Sequence, residues 1–240
     1  MSRTYIIAEC ATCWRHGPNE LKNALRMIKL CKEAGADAFK TQWTSDHVAM
    51  EARRGAAPGA YQRLSWPAPH HAVFKALCDE AGIDYLCTVF LPKDVHHVAP
   101  YVAAGKVSAF ESEDKALLRE WRTTRLPFII SANAGKYGPD DAAHVLHCVS
   151  NYPTKLEDLH LIERIRMGCD GLSDHSTSVL TGAVAVGAGA RVLEKHVMTH
   201  DTPHDDPDYG HSLILDTENK EFSFRQYVQN VRDAEKMMYG

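Results

Sequence analysis

Short apolar runs alternate along the chain with longer segments in which apolar residues recur every three or four positions. Residues 5–9 form the first run and end on an acid, Glu9. Leu21, Ala24, Leu25, Ile28 and Cys31 then repeat at helical spacing, closed by Ala34-Gly35. Further strands are expected at 38–42, 85–88, 106–110, 127–131, 144–149, 170–173 and 191–196. Helices are expected around 68–81, 93–103, 114–121, 156–166, 177–188 and 221–238. Eight strands alternating with helices predict an α/β protein with a parallel sheet, closed as a (β/α)8 TIM barrel that takes in 1–240 as a single domain. An open doubly wound sheet is less favoured, because its usual glycine-rich turn after the first strand is missing. Only 132–143 separate the fifth and sixth strands, and Gly135, Gly138 and Pro139 fall there, so a shortened connection is expected.

Composition narrows the function more than the fold. The 240 residues suit one barrel, which typically needs about 250. A net charge of −4 argues against nucleic acid or an anionic membrane as the partner, since both call for a cationic face. The start of the chain shows no charged-then-apolar leader, and no apolar run approaches ~18 residues, so neither secretion nor membrane spanning is expected. Seven cysteines, an odd number without framework spacing, read as buried free thiols in a cytoplasmic protein. Cys10-x-x-Cys13 has no second pair to make a zinc site with.

The chemistry lies where the strands end. Glu9, Lys40 with Gln42, Thr88, Glu111, Ser131, Ser173 with His175, and Glu194 with His196 all fall at or just past expected carboxyl ends, where barrels of this class assemble active sites. Side chains two apart on a strand share a face, so Lys40 and Gln42 point together, as do Ser173 and His175, and Glu194 and His196. His175 and His196 end neighbouring strands, which lie about 4.8 Å apart. Two imidazoles so placed are a candidate metal pair, suited to Mn²⁺, Fe²⁺, Co²⁺ or Zn²⁺ over Mg²⁺. Lys40 and Lys106 in a barrel lumen demand an anion, and a small polyanion such as phosphoenolpyruvate meets that demand. Purely structural pairing with Glu9, Glu111 or Glu194 is the other reading of the lysines.

These residues sit in motifs that resemble the N-acetylneuraminate (sialic acid) synthase family, which includes the legionaminic and pseudaminic acid synthases. The matching pieces include IIAEC at 6–10, AGADAFKTQ at 34–42, KVSAFESEDKALL at 106–118 and LHCVSNYPT at 146–154. GLSDHS at 171–176, VLEKH at 192–196 and DPD at 206–208 are the most specific. The resemblance implies a metal-dependent enzyme that joins phosphoenolpyruvate to an N-acylated hexosamine such as N-acetylmannosamine, yielding a 2-keto-3-deoxy sugar acid and phosphate. It implies that His175 and His196 bind the metal, Mn²⁺ foremost. Lys40, Lys106, Ser173 and Ser131 would hold phosphoenolpyruvate. Glu9 and Gln42 would line the centre, Glu111 would be the family's acid, and Tyr152 and Asp208 would stand on the sugar side; Thr88 and Glu194 join the site from their strand ends. A homodimer is compatible with it.

Departures from the family pattern are equally specific. Ala109 stands where the family has a serine after the strand-four lysine, with Ser108 one place earlier. Val89 replaces a proline, and Ser131-Ala132-Asn133-Ala134 replaces serine-threonine-glycine-methionine. The family's small antifreeze-like domain, which contacts the sugar, is not part of these 240 residues. The expected consequence is an acceptor site that draws on its own loops, with 45–63 as a substitute lid and Arg53, Arg54 or Arg63 as its cation. A pyruvate aldolase or lyase using a lysine Schiff base, and a degenerate sugar- or partner-binding paralogue, remain as rival readings.

Overall fold

Eight short parallel strands close on themselves, most of them with an apolar residue to bury on either face. A computed structural model describes residues 3–133 and 141–240, and the expected short connection carrying Gly135, Gly138 and Pro139 lies outside them. The strands are β1 (Tyr5–Ala11), β2 (Ala38–Trp43), β3 (Asp84–Val89), β4 (Gly105–Val107), β5 (Phe128–Asn133), β6 (His144–Cys148), β7 (Gly171–Asp174) and β8 (Val192–Met198). Each pairs with the next, and β1 pairs with β8 to complete the (β/α)8 TIM barrel. A two-residue strand, β9 (Leu213–Ile214), extends β8 outside the ring.

The helices are α1 (Glu20–Ala34), α2 (His47–Arg54), α3 (His70–Ala81), α4 (Val95–Val98), α5 (Lys115–Thr124), α6 (Leu161–Arg166), α7 (Thr181–Ala188) and α8 (Phe224–Tyr239). Their apolar stripes cover the outward faces of the strands in one large core that includes Ile6, Phe39, Tyr85, Ile130, Leu172 and Leu193. The glycine of α7 nearest α8 is there for contact. A Cβ on Gly182 would lie 2.6 Å from the Tyr227 ring, so only glycine lets these two helices approach so closely.

The lumen has its own smaller core. Ile7, Ala38, Leu86, Ile129, Leu146 and Val192 fill its lower layer. Two residues further along each strand, one pleat step toward the carboxyl ends, stand Glu9, Lys40, Thr88, Ser131, Cys148 and Glu194. Lys106 and Ser173 complete that layer from β4 and β7. The period of two along a strand thus converts an apolar plug into a polar ring directly above it.

Several expected boundaries moved, each for a local reason. The helix expected at 93–103 is a 3-10 turn at Pro92–Asp94 followed by α4. Pro100, which has no N–H to donate, stops it there. The strand expected through 110 ends at Val107, because the Glu111 N–H bonds back to the Ser108 carbonyl at 3.1 Å and turns the chain. The helix expected at 156–166 is split by His160, whose φ of 45° breaks it into a 3-10 turn and α6. Residues 177–180 form serine-bonded turns ahead of α7, with the Leu180 N–H donating to Ser178 Oγ at 3.1 Å. Neither α2 nor β9 was expected.

Candidate active site

The ring of polar residues is a buried charge network. Lys40 Nζ forms an ion pair with Glu9, donates to Thr88 Oγ1 at 2.8 Å and lies 3.5 Å from Glu194 Oε2. Lys106 Nζ donates to Ser131 Oγ at 2.8 Å and to its neighbour's carbonyl at Val107, and lies 3.5 Å from Glu194 Oε1. Ser173 Oγ donates to Glu194 Oε1 at 2.9 Å. Glu9 is fixed by the Ala11 N–H at 2.7 Å. Glu194 therefore sits between two lysines, and burial, which alone would raise its pKa, is outweighed by Lys106 and Lys40, holding it below the usual carboxylate range. Loss of water around Lys40 is the largest influence on that ammonium and pulls its pKa down to about 8. Two ammonium groups and two carboxylates leave the ring close to neutral.

Above the ring are two imidazoles. The His175 and His196 ring centroids are 5.2 Å apart. His175 Nδ1 is bonded to the Val149 carbonyl at 3.0 Å, which leaves Nε2 free of that bond. Burial drives the His175 pKa down to about 3 and lowers that of His196 as well, so both rings are unprotonated near neutral pH. His196 Nδ1 is buried and has no hydrogen-bond partner. Unprotonated, orphaned nitrogen donors of this kind fit a divalent metal of the Mn²⁺ to Zn²⁺ series. Tyr152 packs against His175 with centroids 4.3 Å apart, and Asp208 Oδ1 lies 3.3 Å from His196 Nδ1.

These groups line one cavity of about 480 Å³, open at the carboxyl ends of the strands. Gln42 and Ala109 also line it. Glu111 lies buried behind the lining residues Arg54 and Ser108, which clamp it: Arg54 Nη2 donates to both its oxygens at 2.6 Å, and Ser108 Oγ donates to one of them. Arg54 itself lies over the rings of Phe110, Phe90 and Tyr61, at 4.4, 5.1 and 5.4 Å. Arg63 donates to Asp206 Oδ2 at 2.7 Å on the same rim. Arg53 does not share the site; it pairs with Asp114 on the outer surface.

Residues 27–240 match the NeuB family. The chain belongs to that family. Its relatives include the pseudaminic acid synthase of Campylobacter jejuni, 28% identical over 268 residues, with 98% of this chain and 75% of that protein aligned. The N,N'-diacetyllegionaminic acid synthase of Legionella pneumophila is also 28% identical, over 98% of this chain and 73% of that protein. The crystal structure of N-acetylneuraminic acid (sialic acid) synthetase from Leptospira borgpetersenii superposes with a TM-score of 0.83 at 23% identity, covering 100% of this chain and 86% of that one. That likeness is one of fold.

Within this NeuB-family barrel, the site residues expected from sequence line the one cavity except Glu111, which lies behind its wall, and Arg53, which pairs with Asp114 outside it. Cys148 and His211 are among the lining residues that the sequence reading does not single out. Cys148 occupies the β6 place in the polar ring, its thiol kept protonated by burial with a pKa near 11. His211 enters from the segment after β8, and its centroid stands 4.6 Å from that of His196. The cysteines are all free thiols, and all but the half-buried Cys169 are buried. No helix among the described residues is long and apolar enough to cross a membrane.

Proposed function

We propose that this cavity condenses phosphoenolpyruvate with an N-acylated hexosamine or a close analogue, giving a 2-keto-3-deoxy sugar acid and phosphate. The observation that carries the reading is the buried pair Lys40 and Lys106, 3.5 Å on either side of Glu194 and beneath two unprotonated histidines. The chain is on this reading a phosphoenolpyruvate-dependent carbon–carbon bond-forming enzyme, as its membership of a family of synthases supports.

Lys40, Lys106 and the hydroxyls of Ser131 and Ser173 bind the phosphate and carboxylate of phosphoenolpyruvate, exchanging their present partners for the ligand's oxygens. His175 and His196 would hold a divalent cation. Mn²⁺, Co²⁺, Fe²⁺ or Zn²⁺ bound there would supply Lewis acidity at the acceptor carbonyl oxygen and the positive charge that the ring lacks. The acceptor rests against Tyr152 and Gln42, with its far end toward Arg54 and Arg63. Held in line, C3 of phosphoenolpyruvate uses the C2–C3 double-bond electrons to form the new bond to the aldehyde carbon, and the aldehyde oxygen takes up the proton that the added water gives up. Water adds to the cationic C2 and gives up a proton, for which Glu9 is the placed base. The C2–O bond to phosphorus then breaks, and the bridging oxygen leaves with phosphate.

The test is phosphate release from phosphoenolpyruvate across a panel of N-acylated hexosamines and simpler aldoses, with Mn²⁺ present and then with excess chelator. Release that needs both an aldose and the metal is expected. Release without any aldose, or none with the whole panel, would overturn the reading. One observation favours a second reading: an ammonium lowered to about 8 at Lys40 is also what a Schiff-base aldolase requires. Borohydride added with pyruvate should leave the mass of the chain unchanged, since Lys40 is engaged by Glu9 and Thr88; a stable pyruvyl adduct at Lys40 would favour the aldolase.

A further inference from the structure

His211 comes from a part of the chain that has no strand or helix periodicity, yet it lies among the strand-end imidazoles. It sits in a 3-10 turn, Tyr209–His211, that directly follows Asp208. In a 3-10 turn, residues three apart eclipse one another, so Asp208 and His211 present their side chains on the same side. Both face His196. Asp208 Oδ1 lies 3.1 Å from His211 Nε2 and 3.3 Å from His196 Nδ1.

Those distances would suit hydrogen bonds, but the alignment does not. His196 Nδ1 and His211 Nε2 are both buried without a hydrogen-bond partner, in residues only 4% and 3% exposed. A buried imidazole nitrogen with no partner is costly, and here two of them converge on a single carboxylate oxygen. Donor atoms from His196, Asp208 and His211 all lie within 4.8 Å of one another. His175 stands beside them, its centroid 6.1 Å from that of His211 and its Nδ1 taken by the Val149 carbonyl. A carboxylate and two nitrogens left without aligned partners have one common remedy, a cation between them.

We propose that His211 and Asp208 complete the metal site, so that the cation is held by His196, Asp208 and His211, with His175 as the adjoining imidazole. The proposal rests on the metal reading given under Proposed function and changes what that site is: a cage closed from the loop after β8 in place of a histidine pair on two strand ends. A donor set rich in imidazole with one carboxylate favours Zn²⁺, Co²⁺ and Fe²⁺ and discriminates against Mg²⁺. It also removes Asp208 from the sugar side, where the sequence resemblance placed it.

The experiment titrates the metal-free full chain with Co²⁺, reading the visible absorption of the bound ion and its affinity in competition with a chelating dye. His211→Ala, His211→Gln and Asp208→Asn are compared with His175→Ala and His196→Ala, each checked for its fold by circular dichroism. One equivalent bound by the parent chain is expected, with affinity lowered roughly tenfold or more and the absorption band shifted in both His211 variants and in Asp208→Asn. Wild-type affinity and an unchanged band in folded His211→Ala and His211→Gln, with losses confined to His175→Ala and His196→Ala, would overturn the cage while leaving the two-histidine reading standing. No Co²⁺ or Zn²⁺ bound by the parent chain would overturn both. A raised KM for the aldose in His211→Ala with unaltered Co²⁺ affinity would assign His211 to the acceptor and refute the proposal.

Discussion

Lys40 and Lys106 are the residues on which anion binding turns, and their surroundings differ in a way that can be measured. Lys40 is already neutralised by Glu9, whereas the contacts of Lys106 are mainly to oxygens of Ser131 and Val107. Changing either to methionine removes one partner of a desolvated charge pair, so phosphoenolpyruvate binding should weaken by about 2–4 kcal/mol. Calorimetry giving wild-type affinity for both variants would make the lysines structural. Affinity should also depend on pH with a definite sign. An arriving anion favours the charged ammonium, so binding is at full strength below the free-state pKa of about 8 at Lys40 and declines as pH rises through it. Affinity that is flat from pH 7 to about 9.5 would contradict that placement of Lys40. Residues of this ring were legible in the sequence because a charged or hydroxyl side chain two places after an apolar one breaks the strand pattern at the carboxyl end. Cys148 was not, since a cysteine at that place reads as one more apolar residue. His211 had no pattern to betray it, only the three-residue spacing from Asp208.

At the scale of elements, the charged segment 45–63 holds a helix that was read as a loop. Its signals are present but short: the Asp46 side chain accepts the Ala49 N–H at 2.9 Å to cap α2, and Gly55, with φ of 62°, ends it. Eight residues with two arginines offer too little apolar periodicity to declare a helix. What α2 does is place Arg54 on the cavity and Arg53 on the outer surface. Arg54→Ala should therefore raise the KM for the aldose, by roughly tenfold if one contact of ~1.4 kcal/mol is lost, and Arg53→Ala should leave it unchanged. Equal effects from the two would mean that α2 acts through stability and does not touch the acceptor. Strand order and helix alternation were legible throughout, because they rest on periods of two and 3.6 residues. Boundaries failed where a single local feature overrode the period, as Pro100 did after α4 and the Ser108–Glu111 turn did after β4.

For the whole molecule, the barrel separates stability from chemistry along its axis. The lower lumen is an apolar plug of Ile7, Leu86, Ile129 and their neighbours, and the charges sit one pleat step above it. A network of buried ammonium and carboxylate groups can be held there because the helices outside carry the main core. The cavity is then a preorganised polar site whose groups need only exchange partners when a substrate enters. The most direct measurement of what it does uses phosphoenolpyruvate carrying ¹⁸O in the bridging position, with whichever aldose supports turnover. Mass spectrometry of both products should find the label in inorganic phosphate and a sugar acid larger than the aldose by the three carbons of pyruvate. Label kept in the acid, or phosphate formed without the longer acid, would contradict condensation through water addition at C2.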